Sequence, residues 1–536
     1  MRKITKRLHA IGVTLAILLT GVTSVNSQSL WNTMKNEKKV LTVSVWFTAQ
    51  DVDHYLSRAT GLDSAVNWCK KYGITKANIE AYGRGLFANR NTLITAKERF
   101  LKEGFQVASG TTTEPGQDNF ERQHCFTKIA SQEEIQRVFE FTASIFDEIV
   151  IDDWYFTNCK CDDCTAARGT RSWSKYYCDL MYKVSQERVL KPAHTVNPKV
   201  KVIIKYPQWN DEYHMRGYDV VRESQIFDGI WVGTEARNFD YEKSQGYEIG
   251  YNAYFNMRWL ATLGSGGGGW FDTGGNRTKV TTYMEQARHT VLGEANQMIL
   301  WCYDGHLDAT PKMEALSNEL PGLVKLAKIV QGKPIKGVHL LKPGNSEPGD
   351  ETWVCSFMGN LGIPFVPTSK NDEQAKSAVF PVQAIESPDF TATLQRMLDK
   401  GTPVVITDGL AKKLATNPAI FSNKNLTVLN VQGSPKTLLK MTREQIKPYR
   451  DKLLAPLGMK FDAPNKVELY LFGDNTFVVE NINEEAVDVT LELPKITNAS
   501  KALVLPENGG SGELSLNGKS VKMQISANTL LVVEYK

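Results

Sequence analysis

Between Val40 and Tyr303 the chain alternates short apolar runs with amphipathic stretches, and it does so eight times. The runs are Val40–Phe47, Ala77–Tyr82, Phe105–Ser109, Asp147–Asp152, Val200–Tyr206, Gly229–Gly233, Gly269–Asp272 and Gln297–Tyr303. A run that is apolar at successive positions, without a polar face, belongs to a strand buried on both sides, and such strands occur in parallel sheets covered by helices. Helical periodicity falls between them, around Leu62–Tyr72, Ala96–Glu103 and Glu133–Phe146, then from Tyr177, Met215, Tyr254 and Val280. Eight βα units in under 300 residues fit a (β/α)8 barrel of the TIM type, which needs about 250. A doubly wound sheet is the alternative, but it does not place polar and aromatic residues at so many strand ends. Here those ends carry Trp46, Glu80, Tyr82, Glu114, Asp152, Asp153, Lys205, Trp209, Glu235, Arg237, Asp272, Tyr303 and Asp304.

The fourth run holds the densest signal. Asp147-Glu-Ile-Val-Ile-Asp-Asp-Trp-Tyr-Phe156 closes an apolar segment with two adjacent carboxylates and three aromatics. A carboxylate at the carboxyl end of a buried strand must be paired or open to a cleft, and in an α/β barrel that end is where active sites are built. Acids and aromatics around one rim suit sugar rings, whose apolar faces stack while their hydroxyls bond to carboxylates. Glycoside cleavage needs two carboxyl groups flanking the bond. The sequence offers Asp153, with Asp152 as its rival, for the nucleophile or base, and Glu235 for the general acid. Asp272 is the substitute acid. Trp154, Glu80, Lys205, Trp209, Trp231, Arg237 and Asp304 are the candidate substrate contacts. Each has a plainer reading: Glu235 as the salt-bridge partner of Arg237 or Arg258, Lys205 as a counter-ion, and any of the tryptophans as core.

Cys159-Lys-Cys161-Asp-Asp-Cys164 places three thiols within six residues, including a C-x-x-C step. This is zinc-chelating spacing, with Cys125, Cys178 or His124 able to supply a fourth ligand, and a disulfide to Cys125 or Cys178 competes. A catalytic zinc is disfavoured because four thiolates leave no open position, so no cofactor is expected for catalysis. Gly264–Gly269 is read as a mobile loop before strand seven, since no Lys-Ser/Thr follows it as a phosphate loop requires.

After Gly332 the pattern changes. Ile335–Leu341, Pro364–Pro367 and Pro403–Asp408 read as strands, and Thr352–Leu361 and Thr391–Lys400 as helices, of a smaller α/β domain. From Val467 short alternating strands follow, at 467–472, 476–481, 486–493, 501–505, 521–525 and 529–535, the signature of a β-sandwich. The expected boundaries are 1–27 for a signal peptide, 28–332 for the barrel, 333–462 for the small α/β domain and 463–536 for the sandwich. Arg2, Lys3, Lys6 and Arg7 precede an apolar stretch from Ile11 to Val22, which together read as a secretory leader cleaved after Ser27. The protein is therefore expected to be exported, to the periplasm or beyond, with no membrane span. Those four cations account for the whole formal excess of +4, so the rest is balanced, which argues against a nucleic-acid partner.

The order barrel, small flavodoxin-like or amidotransferase-like α/β domain, short β-sandwich resembles the glycoside hydrolase family 42 β-galactosidases. That family carries its acid as an Asn-Glu pair after strand four and a Glu nucleophile after strand seven, where this chain has Asp152-Asp153 and Asp272. The positions of Asp153 and Glu235 are more similar to the α-galactosidase-like and α-glucosidase-like barrels, in which an Asp after strand four is the nucleophile and a carboxylate after strand six is the acid. Ile-Asp-Asp-Trp-Tyr-Phe also looks like the Asp-Asp-Tyr-Phe-Tyr motif of a further glycosyl-hydrolase-like barrel family. The resemblance implies a secreted glycosidase acting on a carbohydrate substrate, and a homo-oligomer formed through the middle domain. A non-catalytic carbohydrate-binding protein on a degenerate barrel is the alternative. A hydrolase of another bond ranks last, because no H-E-x-x-H or G-x-S-x-G is present.

Overall fold

The computed structural model describes residues 28–114, 124–238, 240–507, 509–510 and 512–536. The expected leader, 1–27, lies outside the described residues. Eight parallel strands form the barrel: β1 (Thr42–Phe47), β2 (Lys76–Gly83), β3 (Gln106–Thr112), β4 (Glu148–Ile151), β5 (Lys201–Tyr206), β6 (Gly229–Gly233), β7 (Gly266–Asp272) and β8 (Gln297–Trp301). They are paired in sequence order, and β1 closes the circle by pairing β2 on one side and β8 on the other. The fold class expected from the alternating runs is the one observed. Every residue of β1 and β2 is buried, which is why these strands read as continuous apolar runs rather than alternating ones.

The barrel interior is filled by Trp46, Val150, Ile203, Trp231, Trp270 and Ile299. Three indoles fit because glycine faces two of them. A Cβ built on Gly110 of β3 would lie 1.8 Å from the Trp46 ring, and one on Gly268 of β7 would lie 2.5 Å from Trp231. The glycine run read as a mobile loop is thus largely strand: Gly266–Gly269 open β7, with Gly268 yielding to Trp231 inside and Gly269 to Thr290 outside. Below the indoles Lys76 donates to Glu148 at 2.5 Å and Gln297 at 2.9 Å, a satisfied polar floor at the amino-terminal end.

The expected helices appear, with one exception. No α-helix starts at Met215: the stretch between β5 and β6 holds only 3-10 turns at His214–Arg216 and Glu223–Gln225. Gly217, at φ +91°, ends the first of them.

The middle domain is a parallel sheet of β9 (Val338–Leu341), β10 (Phe365–Thr368), β11 (Ala378–Phe380), β12 (Val404–Thr407) and β13 (Leu426–Leu429). Its order is β10-β9-β11-β12-β13, the flavodoxin-like arrangement. The sandwich stacks a five-stranded and a four-stranded sheet. The first receives Ile335–Lys336, paired antiparallel to Val467–Phe472, so the chain gives the sandwich one strand before it enters the parallel sheet.

The sandwich is fastened to the barrel by buried charge. On the helix Val280–Leu292 (α1), Arg288 donates to the Asn528 carbonyl at 2.9 Å and lies 3.8 Å from Glu480, and His289 Nε2 meets Glu468 at 2.8 Å and the Tyr470 hydroxyl at 3.0 Å. Among the described residues no helix is long and apolar enough to cross a membrane.

Candidate functional site

Where β4 ends, the Asp152 amide still donates to Thr111 of β3 at 2.9 Å, so the strand ladder fixes this residue's backbone. The Asp152 side chain turns inward. Its Oδ1 accepts from the Asp153 amide at 2.8 Å, and the Thr112 hydroxyl lies 3.2 Å from Oδ2. The Asp153 side chain is 20 % exposed, and its carbonyl accepts from the Tyr218 hydroxyl at 2.6 Å. Two strands on, the Thr234 amide donates to Trp270 of β7 at 2.7 Å, which sets the direction in which Glu235 leaves β6. Gly233 is required there: a Cβ would sit 2.5 Å from Glu235 Oε2 and 2.7 Å from the Gln208 amide.

Between the two acids stands Lys205 of β5, 1 % exposed, with Nζ 3.0 Å from Asp153 Oδ2, 3.2 Å from Glu235 Oε1 and 3.7 Å from Asp152 Oδ1. The ammonium also lies 4.2 Å from the centre of the Trp270 ring, a cation–π contact that helps support its buried charge. Because Asp153 Oδ2 and Glu235 Oε1 both contact the same nitrogen, they are no more than about 6 Å apart. Glu235 Oε2 is buried without a hydrogen-bond partner, while Arg237 approaches Oε1 at 3.6 Å.

The charges follow from these positions. Burial pushes the Glu235 carboxyl above its ordinary range, and the opposing cations Lys205 and Arg237 do not cancel it. Asp152 is raised well above its range, by burial first and then by the neighbouring Asp153. For Lys205 burial works against the charge, but Asp153, Glu235 and Asp152 outweigh it and hold the ammonium on. Lys205 is thus a buried cation amid carboxyls, and burial biases Glu235 and Asp152 toward their neutral forms.

A cavity of about 280 Å³ opens above these groups. Asp152, Asp153, Lys205, Glu235 and Arg237 line its floor, with Trp270 and Trp301 beside them. One wall is aromatic. Trp154 stacks on Phe156 at 5.9 Å and 24°, and the Phe156 ring meets Trp209 at 5.7 Å edge to face. The Arg216 guanidinium lies over Trp209 at 4.7 Å and over Phe156 at 5.3 Å.

Of the residues expected at the site, Asp152, Asp153, Glu235, Lys205, Arg237, Trp154 and Trp209 are brought together. Four are not. Trp231 is interior core, over Lys76 at 5.6 Å rather than facing the cavity. Asp304 is exposed and hydrogen-bonded to the Tyr55 hydroxyl. Glu80 is buried, accepts from the Ala49 amide at 2.7 Å and from Thr112, and burial raises its carboxyl to about 7. Asp272, offered as the substitute acid, is held by Arg237: Nε reaches both oxygens at 3.1 Å, Nη2 reaches Oδ2 at 2.8 Å, and the Gly274 amide donates at 2.9 Å. Burial opposes its charge, but these donors prevail and lower its pKa, so Asp272 stays an anion that orients Arg237. The sequence reading did not select Arg84, Phe156, Gln208, Arg216, Trp270 or Trp301 as lining residues. The period of two along β7 is the signal for Trp270, which points inward where Phe271 points out. No spacing marks Arg84 or Arg216.

Among the described residues, two groups of side chains have metal-ligating composition: Cys125, Cys159, Cys161 and Cys164, and the interdomain set His289, Glu468 and Glu480. In the second, the His289 imidazole is paired with both carboxylates, at 2.8 Å from Glu468 and 3.5 Å from Glu480.

Residues 28–319 match the family described as probable glycosyl hydrolase, catalytic domain. An uncharacterised protein of Saccharolobus solfataricus is 30 % identical over 385 residues, which is 64 % of this chain and 62 % of that protein, so the chain spans less than two thirds of that relative's length. Among solved structures, GH5_18 of Streptomyces cattleya in complex with Manβ1-4GlcNAc aligns with a TM-score of 0.43 at 10 % identity, covering 74 % of this chain and 100 % of that one. The endo-β-1,4-mannanase of Thermotoga petrophila aligns with a TM-score of 0.37 at 10 % identity, covering 56 % of this chain and 81 % of that one.

Proposed function

Because the chain belongs to the family of probable glycosyl hydrolase catalytic domains, we propose that it is an exported glycosidase that cleaves O-glycosidic bonds with Asp153 as nucleophile and Glu235 as general acid. The observation that carries this reading is the shared contact with Lys205, which brings the facing oxygens Asp153 Oδ2 and Glu235 Oε1 to within about 6 Å of each other. Separations of about 5 to 5.5 Å belong to retaining enzymes and roughly 6.5 to 9.5 Å to inverting ones, which need room for a water. The bound supports retention by double displacement.

The roles follow from exposure and charge. Asp153 is the more exposed of the pair and is attached to a cation, so it can attack the anomeric carbon as an anion. Glu235 is buried and favours its proton, which it gives to the glycosidic oxygen as the bond breaks. In that step Asp153 loses its charge to the glycosyl ester while Glu235 acquires one. Lys205 therefore has an anion beside it before and after, and no uncompensated buried charge arises. A water deprotonated by Glu235 then attacks the ester and restores Asp153. The Trp154, Phe156 and Trp209 wall provides flat apolar faces for the sugar, and the cavity volume, at the low end for a ligand site, suits little more than one ring at the cleavage point. Export rests on the basic and apolar leader pattern of residues 1–27.

A panel of glycans and aryl glycosides, with NMR of the first-formed product anomer, tests the reading. Hydrolysis with retained configuration is expected. Inversion would remove Asp153 as a nucleophile, and failure to hydrolyse any member would favour a sugar-binding protein instead.

A further inference from the structure

The loop that leaves the cavity wall at Phe156 runs directly into a knot of sulfur. Cys125 Sγ lies 3.5 Å from Cys164 Sγ and 3.7 Å from Cys161 Sγ, and Cys161 and Cys164 are 3.6 Å apart. The sulfur of Cys159 completes the group, with all four within 4.8 Å of one another. A disulfide would bring two of these atoms to about 2.05 Å and leave the others behind. The three separations among Cys125, Cys161 and Cys164 are instead nearly equal and close to the edge of a tetrahedron with metal–sulfur bonds of about 2.3 Å, which is roughly 3.8 Å. Cys178, the other thiol considered for this cluster, is turned away, its Sγ 3.6 Å from the His214 carbonyl.

The surroundings also suit an ion. Tyr176, Tyr177 and Trp173 pack around the sulfurs and shield them from solvent on that side. The Thr127 hydroxyl lies 3.0 Å from Cys164 Sγ and 2.6 Å from the Tyr176 hydroxyl, an outer contact of the kind that orients a ligand. Four thiolates around a divalent ion carry two net negative charges, and Lys160 and Arg168 both lie over the Trp173 ring, at 5.6 and 4.7 Å, beside the cluster.

We propose that Cys125, Cys159, Cys161 and Cys164 bind one structural zinc ion that clamps the loop after β4 to the segment before the helix Ile129–Ala143. Tetrahedral sulfur coordination selects zinc among the common divalent metals and leaves no position for substrate. The clamp has a mechanical consequence. The ligands follow Asp153, Trp154 and Phe156 by only a few residues, and Thr157 ties the same loop to its neighbours, its hydroxyl donating to His124 and its amide to Arg216, both at 3.1 Å. The metal would fix the aromatic wall without touching substrate. This inference is independent of the glycosidase reading.

Full-length protein purified without a metal-affinity step is the material for the test. Elemental analysis is expected to give close to one zinc per chain, and growth with cobalt(II) is expected to give the thiolate-to-cobalt and d–d bands of a tetrahedral sulfur site. A thiol-reactive mercurial should release the metal as it titrates four thiols. Cys161→Ser should lose the metal, and Cys178→Ser should keep it. Should Cys161→Ser fail to fold, the wild-type stoichiometry and the mercurial titration still decide. Metal well below one per chain, two disulfides in the mass of the unreduced wild type, or oxygen-ligand cobalt spectra would each overturn the proposal.

Discussion

The ammonium of Lys205 is 3.2 Å from the carboxyl of Glu235, both fully buried, and the same nitrogen reaches Asp153 at 3.0 Å. Removing one partner of a buried ion pair typically costs about 3 to 5 kcal/mol, because the partner left behind is uncompensated. Lys205→Met is therefore expected to destabilise the protein by about that amount in denaturant titration. Its effect on pH dependence is more diagnostic. Lys205 lowers the affinity of Glu235 and Asp152 for protons, so without it these two carboxyls titrate higher and the alkaline limb of the kcat/KM profile, set by Glu235, moves to higher pH. An unshifted profile would mean that Lys205 is not electrostatically linked to the catalytic pair.

The two proposed catalytic acids separate by substrate. Glu235→Gln resembles the protonated form, so it should fold with near-normal stability while kcat/KM falls by about 10² to 10⁴ on natural glycosides. The alkaline limb should vanish with the titrating acid. Aryl glycosides with strongly activated leaving groups need no proton and should retain most of their rate. Asp153→Asn should lose activity on both substrate types, since no ester can form. Equal losses for the two variants on activated substrates would exchange or remove the assigned roles.

Much of this arrangement was readable from residue order, because a buried parallel strand writes its whole length as apolar residues, and the first polar residues after it must lie at the rim. Asp152, Asp153 and Glu235 stand at such positions, while Lys205 shows as a cation inside the apolar run of β5. Residues whose place depends on tertiary partners were not. Asp272 has the same sequence context as a catalytic acid, yet its Arg237 fork makes it a positioning anion. Trp231 and Trp270 both sit on strands of the interior, and only the height of each along its strand decides that one fills the core and the other borders the cavity. The missed middle-domain strands β11 and β13 are only three and four residues long, too short for a periodic signal to emerge. Gly264–Gly269 looked like a loop because nothing in sequence tells which tryptophan a glycine makes room for.

That room can be tested. A Cβ at Gly110 would fall 1.8 Å from the Trp46 ring, which is packed against Trp270 at 4.6 Å and Trp301 at 5.6 Å and has no space to retreat. Overpacking a tight core typically costs about 1 to 3 kcal/mol, and Gly110→Ala is expected at or above the top of that range. Trp46→Phe made in the same chain should recover part of the loss, a coupling measurable in a double-mutant cycle by chemical denaturation. Additive losses would show that the glycine serves some other purpose.

The junction between barrel and sandwich should respond to pH, and the sign follows from His289. Burial opposes the imidazolium, but Glu480 and Glu468 overcome it and raise the pKa to about 10, against an ordinary 6.5. Burial also raises Glu480 to about 7 from 4.5. Both groups hold protons more tightly when folded than when unfolded, so the native state binds more protons and stability falls as pH rises. For Glu480 the loss spans pH 4.5 to about 7, and for His289 it spans 6.5 to about 10. The contribution of His289 is complete below pH 6.5 and gone above about 10. Differential scanning calorimetry should therefore show Tm declining steadily between pH 7 and 10. His289→Gln keeps a hydrogen-bonding side chain of similar reach but cannot be charged, and it should lower Tm at pH 7 while flattening the decline above it. A decline that is equally steep in this variant would place the titrating group elsewhere than at the His289 contact with Glu468 and Glu480.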